Sequence, residues 1–311
     1  MKKILLATTL LAASTGFAAA EVALSGDARM GVVSGFDDPL TLTVDESTIA
    51  FTSRARVKFT LTGETDGGLA FGGSFRADNA GGAASGDAGS VFISGAFGKL
   101  SMGDVDGAAK AAVGHVSGVG LTALGDLNES TFIAKGFGIA GTNNTSMALY
   151  EYSTGDLTIY ASVTNPGVGD PLVVDSDAYS VAAKYALGDY TVSLGYEAVE
   201  ERAGPGSIDH IVLGGTAKFG AVTVKANYGI ADLTDIGLGS DATQWAVSVD
   251  YAMDALTVTA FYTDDSEMLG AEAYGLGAAY DLGGGAKVVG GYAKNQTTDQ
   301  DAFDLGVAMT F

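Results

Sequence analysis

The last ten residues of the chain, Ala302 to Phe311, alternate between large apolar side chains and small or polar ones. The large side chains occupy every second position: Phe303, Leu305, Val307, Met309 and Phe311. Successive side chains of a β-strand point to opposite faces, so this segment predicts a strand with one apolar face and one face that tolerates water. The apolar face would meet a second sheet in a soluble sandwich, or lipid in a membrane barrel.

The same alternation recurs through most of the chain, from Val22 onward, and is most regular after Tyr179. Glycine is abundant, with 46 residues, but it is spread through the alternating segments, and the chain has only 4 prolines. This distribution favours one continuous domain over several domains joined by linkers. Segments rich in Gly, Asp, Asn and Pro separate the strands as seven short turns alternating with eight longer polar connections, which predicts sixteen strands.

Aromatic side chains six residues apart on the apolar face favour lipid as the neighbour of that face. Six residues of a strand span about 20 Å, so each pair would bracket an apolar band as the two girdles of a membrane barrel do. The predicted fold is therefore all-β, a transmembrane antiparallel 16-stranded β-barrel with an aqueous channel, and a soluble sandwich is the alternative. The predicted membrane girdle consists of Tyr179, Tyr185, Tyr190, Tyr196, Trp245, Tyr251, Tyr274, Tyr280 and Phe311.

The N-terminus has the pattern of a secretory signal peptide. Lys2 and Lys3 precede an apolar stretch and then small residues, which predicts a cleaved signal peptide at residues 1–20 and a barrel at residues 21–311. Beyond it, no uninterrupted apolar run approaches the roughly 18 residues of a membrane helix, which excludes a helical membrane protein. The chain has no Cys, so no disulfide constrains the exported protein. Its net charge of −21 becomes −23 without the two leader lysines, and this charge would repel the phosphates of nucleic acid, which excludes nucleic acid as a partner.

Several segments in a fixed order carry a family resemblance. They are EVALSGDARMGV at residues 21–32, Ser53 to Arg76, Phe97 to Ala108 and the terminal Phe311. In this order and spacing, and over essentially the whole mature chain, the sequence resembles the general, non-specific porins of alphaproteobacteria, particularly those of the Rhodobacter type. The resemblance implies a homotrimer in the Gram-negative outer membrane, in contact with lipid and lipopolysaccharide. It also implies a third loop folded into the lumen. The predicted strand count and the charged lumen favour passive diffusion of small hydrophilic solutes and ions, with no cofactor.

One segment, from about Val105 to Thr145, is too long for an ordinary connection, so a functional loop is expected there. Its acids would lie across the lumen from basic residues on the inner face of the first three strands, and the opposed charges would select polar solutes. Alternatively, these are solvated charges without special pairing. The candidate constriction residues are Arg29, Arg54, Arg56 and Arg76 on the wall, and Asp106, Asp126 and Glu129 on the loop.

The other acidic connections allow two interpretations. Their carboxylates could bind Ca²⁺ and bridge lipopolysaccharide, or they could simply keep the surface soluble, which the lack of a regular Ca²⁺-loop spacing favours. These acids are Asp37, Asp38, Asp45, Glu46, Glu200, Glu201, Asp264, Asp265 and Glu267.

Other motifs give little support to an enzyme. The glycine pattern from Gly136 to Gly141 matches a dinucleotide fingerprint but has no βαβ unit around it. His115 and His210 are the only histidines, and they are predicted in the long loop and on a lumen face, so a metal pair or a hydrolase triad is not expected. The remaining alternative to a channel is an adhesin or anchor whose barrel is occluded.

Overall fold

A computed structural model describes residues 20–35, 49–80, 87–134, 147–164, 176–201, 207–236, 241–268 and 270–311 of the chain. The leader predicted for residues 1–20 lies outside this part except for Ala20, and the motif from Gly136 to Gly141 lies outside it entirely.

Sixteen antiparallel strands close into one barrel, as the alternation predicts. The first eight are β1 (Glu21–Ser34), β2 (Ala50–Glu64), β3 (Ala70–Ala80), β4 (Asp87–Gly95), β5 (Gly98–Gly103), β6 (Met147–Thr154), β7 (Leu157–Thr164) and β8 (Ser176–Leu187). The others are β9 (Tyr190–Glu201), β10 (Ser207–Phe219), β11 (Val222–Asp232), β12 (Asp241–Met253), β13 (Leu256–Asp264), β14 (Glu272–Gly283), β15 (Ala286–Asn295) and β16 (Gln300–Thr310).

The first and last strands join to close the barrel. Arg29 of β1 is opposite Ala308 of β16. Just beyond β16, the Phe311 N–H donates to the Gly26 carbonyl at 2.9 Å, and the Gly26 N–H donates to the Phe311 carbonyl at 3.2 Å. The last residue thus completes the ladder, and neither terminal strand presents an unpaired edge.

The two faces of the strands differ as the alternation predicts. Phe303 and Leu305 of β16 are 42% and 54% exposed on the outer surface, whereas Asp304 between them is 3% exposed and points inward. The aromatic residues of the predicted girdle are also exposed on the outer surface. A band of outward apolar side chains is what a barrel presents to lipid. Among the described helices, none has the length and apolar character needed to cross a membrane.

The connections separate into two kinds at the two ends of the barrel. Seven short turns form the short-turn rim: residues 65–69, 96–97, 155–156, 188–189, 220–221, 254–255 and 284–285. The strand ends that the other eight connections join form the opposite rim, called the long-connection rim, and the count of seven and eight agrees with the prediction. Tyr179 and Tyr196 lie toward the long-connection rim, and Tyr185 and Tyr190 toward the short-turn rim, so the aromatic residues of β8 and β9 bracket an apolar band.

Candidate functional site

The third long connection, residues 104–146 between β5 and β6, is called L3 below, and it is described as far as residue 134. It contains a short helix, α1 (Ala108–Val113), and a 3-10 turn, Leu124–Asp126. Many of its apolar side chains are buried, although a surface loop would expose them: Ala108, Ala109, Ala112, Leu124 and Ile133 are at most 1% exposed. L3 is therefore folded into the barrel, which confirms the inward third loop that the resemblance implies.

The outgoing arm of L3, residues 107–122, lies close to the inner wall because the wall carries glycine where the arm passes. A Cβ atom on Gly195 of β9 would come within 2.5 Å of the Ala109 Cβ atom. A Cβ atom on Gly291 of β15 would come within 2.6 Å of the Gly120 nitrogen. Side chains at these positions would displace the loop, so glycine in the strands has a packing role that the alternation alone does not reveal.

Small hydroxyl side chains of the wall hold the same arm through its backbone. The Ala108 N–H donates to Ser162 Oγ of β7 at 2.9 Å, and the Ala109 N–H donates to Ser180 Oγ of β8 at 2.9 Å. Further along, the Ser117 N–H donates to Ser248 Oγ of β12 at 2.9 Å. These bonds satisfy backbone donors that would otherwise be buried without partners.

The tip of L3, residues 120–126, overlaps the end of the outgoing arm and has an unusual backbone. Five of its residues have positive φ angles: Gly120, Ala123, Leu124, Gly125 and Asp126. The wall holds this tip firmly, since Asp304 Oδ2 accepts both the Thr122 N–H at 2.6 Å and the Thr122 hydroxyl at 2.8 Å. Arg29 Nη1 donates to the Leu121 carbonyl at 3.3 Å. A strained backbone persists only where its surroundings fix it, and Asp304 and Arg29 provide two such contacts.

The returning arm of L3, residues 127–134, is bound at a second place on the wall. Gln244 of β12 pairs with both backbone groups of Thr131: Oε1 accepts its N–H and Nε2 donates to its carbonyl, each at 2.8 Å. Asp265 Oδ2 accepts the Thr131 N–H at 3.0 Å and its hydroxyl at 2.6 Å. Glu197 Oε2 of β9 accepts the Ile133 N–H at 2.8 Å. Sequence reasoning did not select Gln244, Glu197 or Asp304, because an inward polar residue has the same pattern whether it faces water or a loop.

Both histidines take part in the contacts that hold L3 in place inside the barrel. His210 is fully buried, with Nδ1 3.1 Å from Glu197 Oε2 and Nε2 2.9 Å from Gln244 Nε2. His115 lies within L3, where Nδ1 accepts the Ser130 N–H at 3.1 Å, and burial lowers its pKa to about 4. The ring of Phe132 lies between them, with centroids 5.5 and 6.4 Å away. Within the described residues, no three His, Cys, Asp or Glu side chains are grouped so as to hold a metal ion.

The wall arginines come together on β1 to β3, and two neighbouring aspartates neutralise part of their charge. Arg54 Nη2 lies 2.9 Å from Asp27 Oδ1. Asp78 bridges two arginines, with Oδ2 3.0 Å from Arg56 Nε and Oδ1 2.6 Å from Arg76 Nε. Asp27 and Asp78 were not singled out from the sequence, although each lies two residues from an arginine and so on the same face of its strand.

Two of the three loop acids lie near a basic or imidazole group of L3 itself. Asp106 Oδ1 is 3.5 Å from Lys110 Nζ, and Glu129 Oε2 is 3.5 Å from His115 Nε2. Burial and the neighbouring Glu129 raise the pKa of Asp126, whereas the charges of His115, Arg29 and Lys110 lower it. Arg29 thus interacts with L3 in two ways: it donates a hydrogen bond to the Leu121 carbonyl, and its positive charge lowers the pKa of Asp126.

The acids of the other connections do not behave as one group. Asp265 is 3% exposed, and burial raises its pKa to about 6, so it is an anchor of L3 and the expectation of a solvated surface residue was wrong for it. Glu267 accepts the Thr243 N–H and hydroxyl, both at 2.8 Å, which lowers its pKa. Asp264 accepts the Ser266 hydroxyl at 2.8 Å, and Glu200 is exposed at the end of β9. Asp37, Asp38, Asp45, Glu46 and the side chain of Glu201 lie outside the described residues.

A closed sixteen-stranded membrane barrel with a charged lumen and a loop seated inside it defines the class of channel-forming outer-membrane proteins. The chain matches the Gram-negative porin family over residues 7–300 and belongs to that family. It is accordingly an outer-membrane channel for passive diffusion of small hydrophilic solutes and ions.

Known relatives agree with this assignment. The chain is 39% identical to a porin of Rhodobacter capsulatus over 94% of its own length and 100% of that protein. It is 30% identical to a porin of Fuscovulum blasticum, with the same coverage of both chains. A solved porin structure refined at 1.8 Å resolution is 37% identical, covers 94% of this chain and 100% of that one, and has a TM-score of 0.76. These relatives are porins, which are channels rather than enzymes.

Proposed function

We propose that solutes pass between L3 and the basic wall of β1 to β3, and that this gap is the constriction of the channel. The observation that carries the proposal is the position of the L3 tip, which lies beside the arginines because Arg29 binds the Leu121 carbonyl. L3 contacts the inner wall from β7, at Ser162, round to β1, at Gly31. The charged stretch from Arg54 to Arg76 lies just beyond its tip.

The charges on the two sides of this gap differ in sign. Arg29, Arg54, Arg56 and Arg76 lie on the wall, and Asp106, Asp126 and Glu129 lie on L3. Such an arrangement creates a transverse field that orients polar solutes and disfavours apolar ones. The wall aspartates Asp27 and Asp78 reduce the positive charge, so the wall is less anion-selective than its four arginines alone would make it. Passage needs neither a cofactor nor an energy source.

The assembly and processing of the chain belong to the same proposal. The family resemblance supports a homotrimer that contacts outer-membrane lipid and lipopolysaccharide, and the sequence of residues 1–20 supports a cleaved signal peptide. We place the subunit contact on the short, weakly alternating strands at residues 90–95 and 146–152, of which residue 146 lies outside the described part of the chain. Binding of Ca²⁺ by the acidic connections stays a prediction.

Reversal potentials in a salt gradient test the proposed constriction. Arg54→Ala removes a positive charge from the wall and should shift the potential toward greater cation preference. Glu129→Gln removes a negative charge from L3 and should shift it toward anions. Asp254→Asn is the control, because it removes an acid at the short-turn rim and Asn tolerates the φ of 48° found there. Shifts of the same sign for Arg54→Ala and Glu129→Gln would contradict opposed charges.

A further inference from the structure

His210 and Gln244 contact each other across an intervening strand. They lie on β10 and β12, and β11 between them carries Gly229 at the point of contact. A Cβ atom there would come within 2.6 Å of His210 Nε2 and 2.7 Å of Gln244 Nε2. The absence of a side chain at Gly229 therefore creates the space in which the two polar groups meet, and both are at most 2% exposed.

The hydrogen bonds around this pair define which atoms carry protons. Gln244 uses Oε1 to accept from Thr131 and Nε2 to donate to Thr131, which fixes the orientation of its amide. The second N–H of Nε2 then faces His210 Nε2 at 2.9 Å, so that nitrogen must be an acceptor. The imidazole proton consequently lies on Nδ1 and donates to Glu197 Oε2 at 3.1 Å.

We propose that neutral His210 is the positioning residue that seats the returning arm of L3, and that protonation of His210 releases this arm from the wall. A proton on Nε2 would face the amide N–H groups of Gln244, and two donors cannot bond to each other. Gln244 would have to turn its amide so that Oε1 faces His210, and its amide would then lose both bonds to Thr131. The effect of this release on the current rests on the constriction proposed above, whereas the release itself does not.

Other titratable groups lie around His210. Glu197, on β9, is in direct contact with the imidazole. Asp265, on the connection after β13, also binds Thr131: burial raises the pKa of Asp265 to about 6, and its two bonds from Thr131 lower it. Its carboxyl therefore changes charge within the pH range of the test below. On L3 itself, His115 has a pKa of about 4, and Glu129 lies beside it. Replacing Asp265 by Asn therefore isolates the effect of His210.

Hydrogen–deuterium exchange of the folded Asp265→Asn protein tests the inference. Exchange of residues 128–134 is followed from about pH 8 to about pH 5, the range in which imidazoles titrate, after correction for the intrinsic rate. We expect protection to fall about tenfold as the pH falls, the effect of losing a hydrogen bond of ordinary net strength. His210→Gln in the same background supplies a neutral donor and acceptor, and its protection should not change with pH. His115→Gln should keep the fall, because His115 remains neutral over this range.

Two results would overturn the inference. One is equal protection of residues 128–134 at both ends of the pH range in the Asp265→Asn protein. The other is an equal fall of protection in the His210→Gln variant. Should that variant fail to fold, Gln244→Glu gives an independent test, because a carboxylate cannot donate to Thr131 or to His210 and protection should be low at every pH. Faster exchange with unchanged conductance would support the release and contradict L3 as the constriction.

Discussion

Replacing Gly291 by Ala should displace the tip of L3 into the lumen. The new Cβ atom would lie 2.6 Å from the nitrogen and 2.7 Å from the Cα atom of Gly120, whereas ordinary contacts of this kind are about 3.5 Å or longer. The tip must therefore move by about 1 Å, because the obstacle is backbone and cannot rotate away. A movement of that size lengthens the 2.6 Å bond from Thr122 N to Asp304 Oδ2 beyond hydrogen-bonding distance.

The loss of this bond weakens the seating of L3 by about 1.5–3 kcal/mol, the usual value for a hydrogen bond to a charged group. Single-channel recording should then show a lower conductance and more frequent closing events than in the unmodified protein. Gly215→Ala is a matched control, since its Cβ atom would have Thr191 O as its nearest neighbour at 3.7 Å, an ordinary contact. Heat-modifiable electrophoretic mobility verifies that both barrels form. Conductance and current noise of Gly291→Ala equal to those of Gly215→Ala would refute the reasoning.

Two further variants test other parts of the account. Asp265→Asn should stabilise the folded barrel at pH 7.5 by at most about 3 kcal/mol, because the raised folded pKa of about 6 means that ionisation above pH 6 costs stability. The difference in unfolding free energy between this variant and the unmodified protein, measured by thermal unfolding, should shrink at pH 5, where the unmodified carboxyl is protonated. An equal stabilisation at both pH values would contradict the ionisation of a buried carboxyl. Deleting Phe311 removes its two bonds to Gly26 and should lower the yield of inserted barrel much more than the conductance of the barrels that form. A normal outer-membrane yield would argue against this role.

The barrel could be predicted from the sequence because its determinants are local. In a strand such as Ala302 to Phe311, the alternation of apolar and polar residues predicts which side chains face lipid, and Gly or Asp residues predict the turns between strands. The clustering of Arg54, Arg56 and Arg76 follows from the same alternation once neighbouring strands are paired.

The seating of L3 could not be predicted in this way, because it depends on contacts between residues far apart in sequence. Gly195 meets Ala109, and Asp304 binds Thr122, because the folded barrel brings these distant parts of the chain together. A glycine or an acid at a lumen position has the same local pattern whether water or a loop lies against it. Asp265 was misinterpreted for this reason: its surroundings in the sequence are those of a surface turn, but its side chain is buried against Thr131.

Planar-bilayer recording of the assembled, leader-free protein is the most direct test of the central claim that this barrel is an open, water-filled channel narrowed by L3. Insertion should produce stepwise ohmic conductance, with steps in groups of three if the assembly is a trimer. Polar solutes larger than the gap between L3 and the arginine wall should fail to enter. Insertion of folded barrels without any conductance steps would contradict the claim.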